Sequence, residues 1–292
     1  MIHSTNTHLH VAVLSHPGMT GKNNEDRYAV SSYTVSKDDA KPVVFAIVAD
    51  GIGGHRAGEI AAELAVNYIS HGVSEGNAYK PIKTLQDAIE DASQAIAAHS
   101  AGKAEQEGMG STCACAWVIG NQLYTAHVGD SRIYLMRGEK IKRITKDHTW
   151  VQEAMDKGII TPEQAHDHPN VHVIRRYLGS LALPKVDFRM WLLDEIETDD
   201  EAKSNQGLEL EPADIILLCS DGLTDLVWED EVFKIVRSKK ELNSAAEILV
   251  NTANERGGHD NITVILMEVP KLEEMQKEKK KPGFFNWLTG KE

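Results

Sequence analysis

The order of the predicted elements indicates an α+β domain with antiparallel sheets and helices on the outside. Strand-like runs come first, two helical patterns follow, more strands come next, and two further helices precede a final strand. A parallel βαβ fold would need strands and helices to alternate strictly, and this chain does not alternate in that way.

Each element is predicted from hydrophobic periodicity. Strands are apolar runs or alternate between apolar and polar residues, whereas helices repeat apolar residues three or four positions apart. In chain order the predictions are strands at 9–15, 26–35 and 43–49, helices at 55–70 and 85–98, strands at 111–119, 122–128, 131–137, 186–193 and 214–220, helices at 229–237 and 244–255, and a strand at 262–269. The stretch 149–179 mixes short helical pieces, and the acidic stretch 194–205 is predicted to be a surface loop.

Composition narrows the class of protein. With 292 residues, 41% of them hydrophobic, the chain can bury a core as one large domain or two small ones. Its net charge of -13 repels nucleic acid, since no long basic stripe precedes the C-terminus. We expect no transmembrane segment, because no apolar run reaches the roughly 18 residues that span a bilayer. Residues 1–10 hold no apolar segment of a signal peptide, so a cytoplasmic protein is expected.

The cysteines agree with that location. An odd count of three favours reduced thiols over disulfides. Cys113 and Cys115 alternate within a strand-like run, so both are expected to face the same side of the strand. A CxC pair can bind metal, but without partner ligands two small core residues are the preferred interpretation.

Acidic residues at the ends of apolar runs carry the functional signal. Asp50 follows the run 43–49, Asp221 follows the run 214–220, and Asp260 stands just before the run 262–266. Carboxylates gathered at strand ends repel one another and lose hydration, so a cation must hold them together. Hard oxygen ligands without matching His or Cys sets favour Mg²⁺ or Mn²⁺ over Zn²⁺. The pattern therefore predicts a metal-dependent hydrolase, acting on phosphate.

Two further acidic turns complete a family pattern. Glu25 and Asp26 precede the second predicted strand, and Asp130 lies in a tight turn between strands. One Asp-Gly pair alone is usually an ordinary turn, but five acidic turns beside apolar strands are hard to explain by chance. The chain resembles the PPM family of metal-dependent, type 2C Ser/Thr protein phosphatases, and within it the bacterial branch. The matching stretches, in family order, are Asn23-Asn24-Glu25-Asp26, Val48-Ala49-Asp50-Gly51-Ile52-Gly53-Gly54-His55, Gly110-Ser111-Thr112, Val128-Gly129-Asp130-Ser131-Arg132, Leu218-Cys219-Ser220-Asp221-Gly222-Leu223 and His259-Asp260-Asn261-Ile262-Thr263.

This resemblance covers nearly everything from Leu9 to Val269 and implies an architecture. The expected fold is a central antiparallel β-sandwich flanked by pairs of helices on both faces, a four-layer αββα arrangement. Residues 1–270 would form the catalytic domain, with a mobile flap at about 149–180. Residues 271–292 would form a charged, partly aromatic tail, interpreted as disordered or as a weak membrane-surface contact.

The resemblance also implies a metal site. Asp50 would bridge two metal ions, the Gly51 carbonyl would be a further ligand, and Asp221 with Asp260 would complete one coordination shell. Glu25 would hold the second ion, largely through water.

Two more acids receive roles from the same resemblance. Asp26 would orient metal-bound waters, and Asp130 with Asp221 matches the site of a third, looser metal. The expected catalytic set is Asp26, Asp50 and Asp221. Two cations about 3.5–4 Å apart can share a water that attacks phosphorus in line, without a covalent enzyme intermediate. Phosphorylated proteins, together with Ser/Thr kinases and their substrates, are the implied partners.

The chain departs from the family pattern at two positions. Family members usually carry a phosphate-gripping Arg where this chain has Gly21, which predicts weak phosphate binding. Lys22 is adjacent and is the candidate substrate-binding residue, since it could supply a positive charge, but an ammonium lacks the bidentate fork of Arg. Ile52 stands where eukaryotic members carry a His proposed as general acid, and capping or packing is the preferred interpretation for the nearby His55.

Several residues of the predicted flap and of the loop after it have more than one possible interpretation. His166, His168 and His172 are interpreted as part of a wet, polar loop rather than a metal site. Arg175 and Arg176 are open to two interpretations, a reach to substrate phosphate or simple solvated charge. Two other functions stay open as well: a pseudophosphatase that binds phosphoproteins with little turnover, and a general phosphomonoesterase.

Overall fold

The structure is a computed structural model that describes residues 1–21, 23–53, 57–166, 168–193 and 197–271. Within these residues the strands are β1 Ile2–His3, β2 His10–His16, β3 Arg27–Thr34, β4 Pro42–Ala49, β5 Gly51–Ile52, β6 Gly110–Ser111, β7 Cys113–Ile119, β8 Gln122–Val128, β9 Arg132–Arg137, β10 Lys140–Arg143, β11 Leu208–Glu209, β12 Ile215–Cys219 and β13 Ile262–Glu268. The helices are α1 Ala57–Glu75, α2 Pro81–Ser100, α3 Trp150–Asp156, α4 Pro162–His166, α5 Asp199–Ser204, α6 Asp221–Thr224, α7 Glu229–Ser238 and α8 Leu242–Glu255, with a short 3-10 turn at Ala104–Gln106.

Two antiparallel sheets form the centre of the protein. The first has the strand order β1-β3-β4-β7-β8-β11, and the second has the order β10-β9-β12-β13-β2. β5 and β6 pair separately, beside the first sheet. Every pairing between these strands is antiparallel, as predicted.

Three apolar layers separate the secondary-structure layers. Val44 and Ala46 of β4 pack towards Ile216 and Leu218 of β12 between the two sheets. The alternate side chains of β4 pack under α1 and α2, and those of β12 pack under α7 and α8. Because successive side chains of a strand point to opposite faces, each central strand has apolar residues on both faces and appears as a continuous apolar run. The four-layer αββα architecture implied by the family resemblance is confirmed.

Helix boundaries follow local capping chemistry. Pro81 begins α2 at the position where its missing N–H leaves no helical hydrogen bond unmade. Thr149 caps α3, since its hydroxyl accepts the Gln152 N–H at 3.3 Å. The two cysteines of β7 lie in the layer under α1 and α2, so their predicted shared face is confirmed.

The predicted strand at 186–193 is wrong. Only Asp187 pairs in strand fashion, through an isolated bridge to His127. The following backbone donors go elsewhere: Arg189 N–H to the Asp187 carboxylate at 2.9 Å and Met190 N–H to the Ala202 carbonyl at 2.8 Å. A local side chain that takes a backbone donor competes with sheet pairing in this way.

The predicted surface loop at 194–205 is also wrong where it is described. Residues 194–196 lie outside the described residues, and 199–204 form α5. Thr198 and Glu201 make a capping box, with Thr198 N–H donating to Glu201 Oε2 at 2.8 Å. The acids that made this stretch look like a loop stabilise the N-terminus of a helix.

β10 is the longest of the strands that were not predicted; β1, β5 and β11, with two residues each, were missed as well. β10 reads Lys-Ile-Lys-Arg and pairs with β9 as an edge hairpin. Three charged side chains in four positions hide it from any search for apolar runs, and charged side chains are typical of edge strands.

Candidate metal centre

The ends of several strands meet at one end of the sandwich. In the first sheet the register places Arg27, at the start of β3, opposite Ala49, at the end of β4. In the second sheet it places Cys219, at the end of β12, opposite Arg132 and Val264. Residues that directly precede or follow these ends therefore share one edge, and they include every acid that the sequence analysis selected.

The backbone N–H and the backbone carbonyl of Asp50 both form hydrogen bonds. Its N–H donates to Thr112 Oγ1 at 2.9 Å, and its carbonyl accepts the Thr112 N–H at 2.8 Å. Thr112 Oγ1 lies 2.7 Å from Ser131 Oγ, which ties this turn to the residue after Asp130. Asp50 and Asp130 are therefore held relative to each other through two hydroxyl side chains.

Glu25 occupies a space that glycines leave open. A methyl group on Gly58, in the first turn of α1, would lie 2.6 Å from Glu25 Oε2 and 2.7 Å from the Gly51 carbonyl oxygen. The Glu25 carboxylate and the Gly51 carbonyl, two of the predicted ligands, therefore lie beside the same helical glycine. The Glu25 backbone N–H donates to Asn261 Oδ1 at 2.7 Å.

Asn261 fixes the loop that carries Glu25. Its Nδ2 donates to the carbonyl oxygens of Pro17 at 3.0 Å and Asn23 at 3.1 Å. One amide side chain thus joins the loop before β3 to the residue that follows Asp260. The family pattern contains this Asn, but the sequence alone does not show which groups it would bind.

Asp26 is buried, with 2% of its surface exposed. Ser220 Oγ donates to Asp26 Oδ2 at 2.7 Å and accepts the Thr263 N–H at 2.9 Å. Because the Ser220 hydroxyl links β13 to Asp26, the carboxylate is oriented by a neutral hydrogen bond. Asp221 is the next residue along the chain, at the start of α6.

The turn that carries Asp130 is held by His148. Gly129 N–H donates to His148 Nδ1 at 3.0 Å, and His148 N–H donates to the Gly129 carbonyl at 2.9 Å. His148 Nε2 lies 3.2 Å from Asp187 Oδ2. Burial lowers the pKa of His148 to about 4, so the ring is neutral near pH 7. The sequence analysis missed His148, which sits just before the flap.

A buried His127, His148 and Asp187 cluster has donor atoms within 4.8 Å of one another. Their polar atoms already have protein partners: His127 Nε2 lies 2.8 Å from the Lys146 carbonyl, and Arg189 pairs with Asp187. The two rings stack with centroids 4.6 Å apart. We interpret this cluster as structural support for the flap base.

The carboxyl groups at the strand ends lack the solvation that ionised acids need. Burial, followed by the charge of neighbouring acids, raises the pKa of Asp26 to about 6 and that of Asp130 to about 7. Loss of hydration and the charges of Asp26, Asp221, Asp130 and Asp260 raise the pKa of Asp50 well above its usual range. The pKa of Asp221 is raised in the same way. These mutual effects place the five aspartates in one cleft.

Three carboxylate oxygens in this cleft are buried without a hydrogen-bond donor among the described residues: Asp26 Oδ1, Asp130 Oδ1 and Asp221 Oδ1. A buried anionic oxygen without a partner is costly, so such atoms imply a ligand. A hard divalent cation supplies the missing positive charge and accepts carboxylate and carbonyl oxygens together. The residues present therefore fit Mg²⁺ or Mn²⁺.

A family model described as protein phosphatase 2C matches residues 18–267. The chain belongs to the protein phosphatase 2C family. A serine/threonine phosphatase of Listeria monocytogenes, named stp, is 35% identical over 264 residues, which span 89% of this chain and 96% of that protein. The crystal structure of the Mycobacterium tuberculosis serine/threonine phosphatase PstP/Ppp matches with a TM-score of 0.74 and 33% identity, covering 90% of this chain and 99% of that one. The catalytic domain of PstP in complex with two manganese ions matches with a TM-score of 0.72 and 32% identity, covering 90% and 99%.

These matches confirm the family, the fold and the enzyme class predicted from the sequence: the chain is a metal-dependent serine/threonine protein phosphatase. The manganese-bound relative confirms the predicted Mg²⁺ or Mn²⁺ cofactor for this class of site.

His172 and Asp225 of this phosphatase also lie beside the cleft, and the sequence analysis assigned neither of them to the metal site. The donor atoms of His172, Asp221 and Asp225 all lie within 4.8 Å of one another, and His172 Nδ1 is 3.6 Å from Asp225 Oδ2. Asp225 lies one helical turn after Asp221, a spacing that puts both on one face of α6. That spacing was visible in the sequence.

Other candidate residues of this phosphatase lie elsewhere. Lys22 and His55 are outside the described residues. Arg176 Nη1 donates to the Lys185 carbonyl at 3.0 Å and lies 3.0 Å from His148 Nε2, so its contacts are at the flap base. The exposed Arg175 lies 3.9 Å from Glu153. Both contacts favour structural or solvated charge over phosphate binding.

His168 and His172 of the flap do not share one site. His168 stacks on Trp150 with ring centroids 4.6 Å apart, whereas His172 faces Asp225. The side chain of His166 lies outside the described residues. The interpretation of these histidines as something other than a joint metal site therefore agrees with the contacts of His168 and His172.

Replacement of Gly58 by Ala tests the packing around Glu25. The new methyl group would displace the Glu25 carboxylate, so Gly58→Ala is expected to weaken Mn²⁺ binding about tenfold, measured by isothermal titration calorimetry. Without that clash, Ala in place of a helical Gly stabilises a protein by roughly 0.5–1 kcal/mol. A raised melting temperature with unchanged Mn²⁺ affinity would show that Glu25 does not need this space.

The raised carboxyl pKa values predict an unusual pH dependence for the metal-free protein. Asp26 and Asp130 bind protons more tightly folded than unfolded, so the stability of the folded state falls as pH rises through about 6 and 7. His148 acts in the opposite sense, but only below its unfolded pKa of about 6.5. Between pH 6.5 and 8, the melting temperature in EDTA should therefore decrease.

When the same pH series is measured with saturating Mn²⁺, the melting temperature should no longer decrease, because the cation replaces the protons. Asp130→Asn should flatten the slope in EDTA, whereas Asp91→Asn, on the exposed face of α2, should leave it unchanged. A metal-free melting temperature that rises over this range would contradict the electrostatic account of the cleft.

Proposed function

We propose that the acids of this cleft hold the divalent cations with which the protein hydrolyses phosphoserine and phosphothreonine in other proteins. One observation supports this most directly: Asp26, Asp130 and Asp221 each present a buried oxygen without a donor among the described residues. Bound divalent cations would lower the pKa of water and neutralise phosphate oxygens, which allows water to attack phosphorus directly.

The ligands would be Asp50, the Gly51 carbonyl, Asp221 and Asp260 for the core ions, with Glu25 beside them. The Asp50 backbone is fixed by Thr112, and the Glu25 backbone is fixed by Asn261. This fixing keeps the side chains in place before the cations arrive, which is the preorganisation that electrostatic catalysis needs.

Asp26 would orient the attacking water. Ser220 occupies one of its oxygens, so Oδ1 remains to accept a hydrogen bond. Asp130, with Asp221, would serve a third and looser cation, and Asp225 is close enough to join them.

No covalent intermediate is needed in this proposal. Cys113, Cys115 and Cys219 are all buried within the sheets, so none of these thiols reaches the cleft as a nucleophile. Ile52 takes the place of the His that eukaryotic members carry after the Asp-Gly pair, which leaves protonation of the leaving oxygen to water.

The organisation of the chain and its partners follow from the same proposal. Residues 1–270 would be the catalytic domain with a flap at about 149–180, and 271–292 would be an appended tail. No helix among the described residues is long and apolar enough to cross a membrane. Phosphorylated proteins would be the substrates, Ser/Thr kinases with their targets would be the partners, and the cytoplasm would be the location.

Asp221→Asn tests the proposed chemistry. It keeps the shape of the side chain but removes the charge of a core ligand, so Mn²⁺-dependent turnover of p-nitrophenyl phosphate should fall at least 100-fold. Asp91→Asn removes the same charge from the surface and should have wild-type rates.

The wild-type result separates the alternatives. Absence of metal-dependent turnover, together with retained phosphopeptide binding, would identify a pseudophosphatase. Equal kcat/KM for phosphothreonine peptides and small phosphate esters would identify a general phosphomonoesterase.

Gly21→Arg tests whether the chain lacks a phosphate-gripping side chain. A methyl group at this position meets no atom of the described residues within 4 Å, which leaves room for a side chain, but the φ of +73° strains any residue other than Gly. Arg can make charge-assisted hydrogen bonds to phosphate, so KM for a phosphopeptide should fall about fivefold. Gly21→Ala has the same backbone strain without the charge and is the matched control. Equal KM values for the two variants would refute the idea.

A further inference from the structure

A groove of about 1170 Å³ lies beside the acidic cleft. One wall is the flap, with Val151 and Met155 of α3, and the other is the corner between α6 and α7, with Trp228. Asp260, a proposed metal ligand, lines the groove together with Asp225, whose carboxylate lies within 4.8 Å of that of Asp221. The groove therefore opens directly onto the proposed metal centre. It is larger than the roughly 300–1,000 Å³ of small-molecule pockets.

The two arginines that line this groove already pair with a carboxylate of the protein. Arg132 pairs with the Asp147 carboxylate through Nε at 3.1 Å and Nη2 at 2.7 Å. Arg143 Nη1 lies 3.4 Å from the same carboxylate. Asp147 thus takes up much of the charge of the two arginines, and the floor of the groove offers little attraction for an acidic ligand.

The rim of the groove is acidic. Glu229 and Asp230 are exposed at the start of α7, and Asp156 stands on the flap wall. Asp230 and Asp156 have lysine neighbours at 2.8 Å and 3.6 Å; the first pair is largely exposed and therefore weak, and the second is longer and partly exposed. None of the three acids is among the proposed metal ligands, so the rim adds negative charge beyond that of the metal centre.

Apolar surface accompanies this charge. Trp228 is 57% exposed at the rim, although large apolar side chains are usually covered. Val151 and Met155 face the groove from the flap. An acidic rim over apolar walls complements a segment that combines basic and apolar side chains, and it repels an acidic one.

We propose that this groove binds the polypeptide that flanks the phosphorylated residue, and that it selects flanks carrying Lys or Arg together with a large apolar side chain. The inference rests on the proposed function, because the cleft must hold the phosphate while the groove holds the flank. An extended flank advances about 3.3 Å per residue, so a groove of this volume accommodates several residues.

Matched phosphothreonine peptides test the charge preference. Three peptides of equal length carry Lys, Gln or Glu at the positions flanking the phosphothreonine and are otherwise identical. With Mn²⁺ and low salt, kcat/KM of the full chain should be at least tenfold higher for the Lys peptide than for the Glu peptide. Because rim charges act mainly on association, this ratio should shrink at high salt.

The double variant Glu229→Gln, Asp230→Asn should reduce the Lys-to-Glu ratio to about threefold or less. The control Glu241→Gln, Glu247→Gln removes the same charge from α8 and its N-terminal end, away from the groove, and should retain the wild-type ratio. An equal ratio in wild type and groove variant, or an equal loss in the control, would overturn the proposal.

Trp228→Ala tests the apolar part. With wild type, a peptide that has Leu in the basic flank should have a kcat/KM about fivefold higher than one that has Ser at the same position. This difference should disappear in the variant. A difference that persists in Trp228→Ala would overturn the apolar part of the proposal.

Turnover of p-nitrophenyl phosphate, which has no flanks, separates the two proposals. It should be unchanged in all these variants, which also reports correct folding. If the wild type does not turn it over, the proposed function fails, and the groove is then judged by fluorescence anisotropy of the labelled Lys and Glu peptides. Equal affinity for the two peptides would overturn the groove proposal independently.

Discussion

Mutual repulsion among buried carboxylates is the constraint on which the rest of this structure depends. Asp26, Asp50, Asp130 and Asp221 share a cleft that hydrates them poorly, and the charges of the other three raise the cost of ionising Asp50. Their positions are held by neutral groups, such as the Ser220 hydroxyl on Asp26 and the Thr112 hydroxyl on the Asp50 backbone. Among the described residues no lysine or arginine forms a salt bridge with these four carboxylates, so their negative charge is available for cations. The sandwich must be stable enough to hold the acids together.

Arginine pairs occur in the surroundings of the cleft rather than at its centre. Arg132 binds Asp147 below the groove, Arg189 binds Asp187 at the flap base, and Arg27 binds Glu59 on the outer side of the loop before β3. The charged groups of the enzyme therefore fall into two sets, those that are paired within the protein and those that are not. Internal pairs fix the scaffold, and the central acids depend on an external charge. His148 connects the two regions, since it contacts Gly129 beside Asp130 as well as Asp187.

The sequence allowed most of the fold and the acidic set to be predicted, because both depend on short-range patterns. A buried strand such as β4 is a continuous apolar run, and the acid after it marks where burial ends. The supporting contacts were not predictable from pattern, because Ser220 to Asp26 spans 194 positions and Asn261 to Glu25 spans 236. The error at 186–193 has a related cause. Val186 and Phe188 pack against one core cluster and Met190 and Leu192 against another, and one local carboxylate takes the Arg189 backbone donor.

The burial of the thiols has a consequence for cellular redox chemistry. Cys115 and Cys219 lie in strands, where burial raises the pKa of both, that of Cys219 to about 12, and Cys113 shares the strand of Cys115. Peroxide and alkylating reagents attack exposed thiolates, and this protein presents none of its three. Dephosphorylation by this enzyme would thus continue under oxidative stress that silences phosphatases with a cysteine nucleophile.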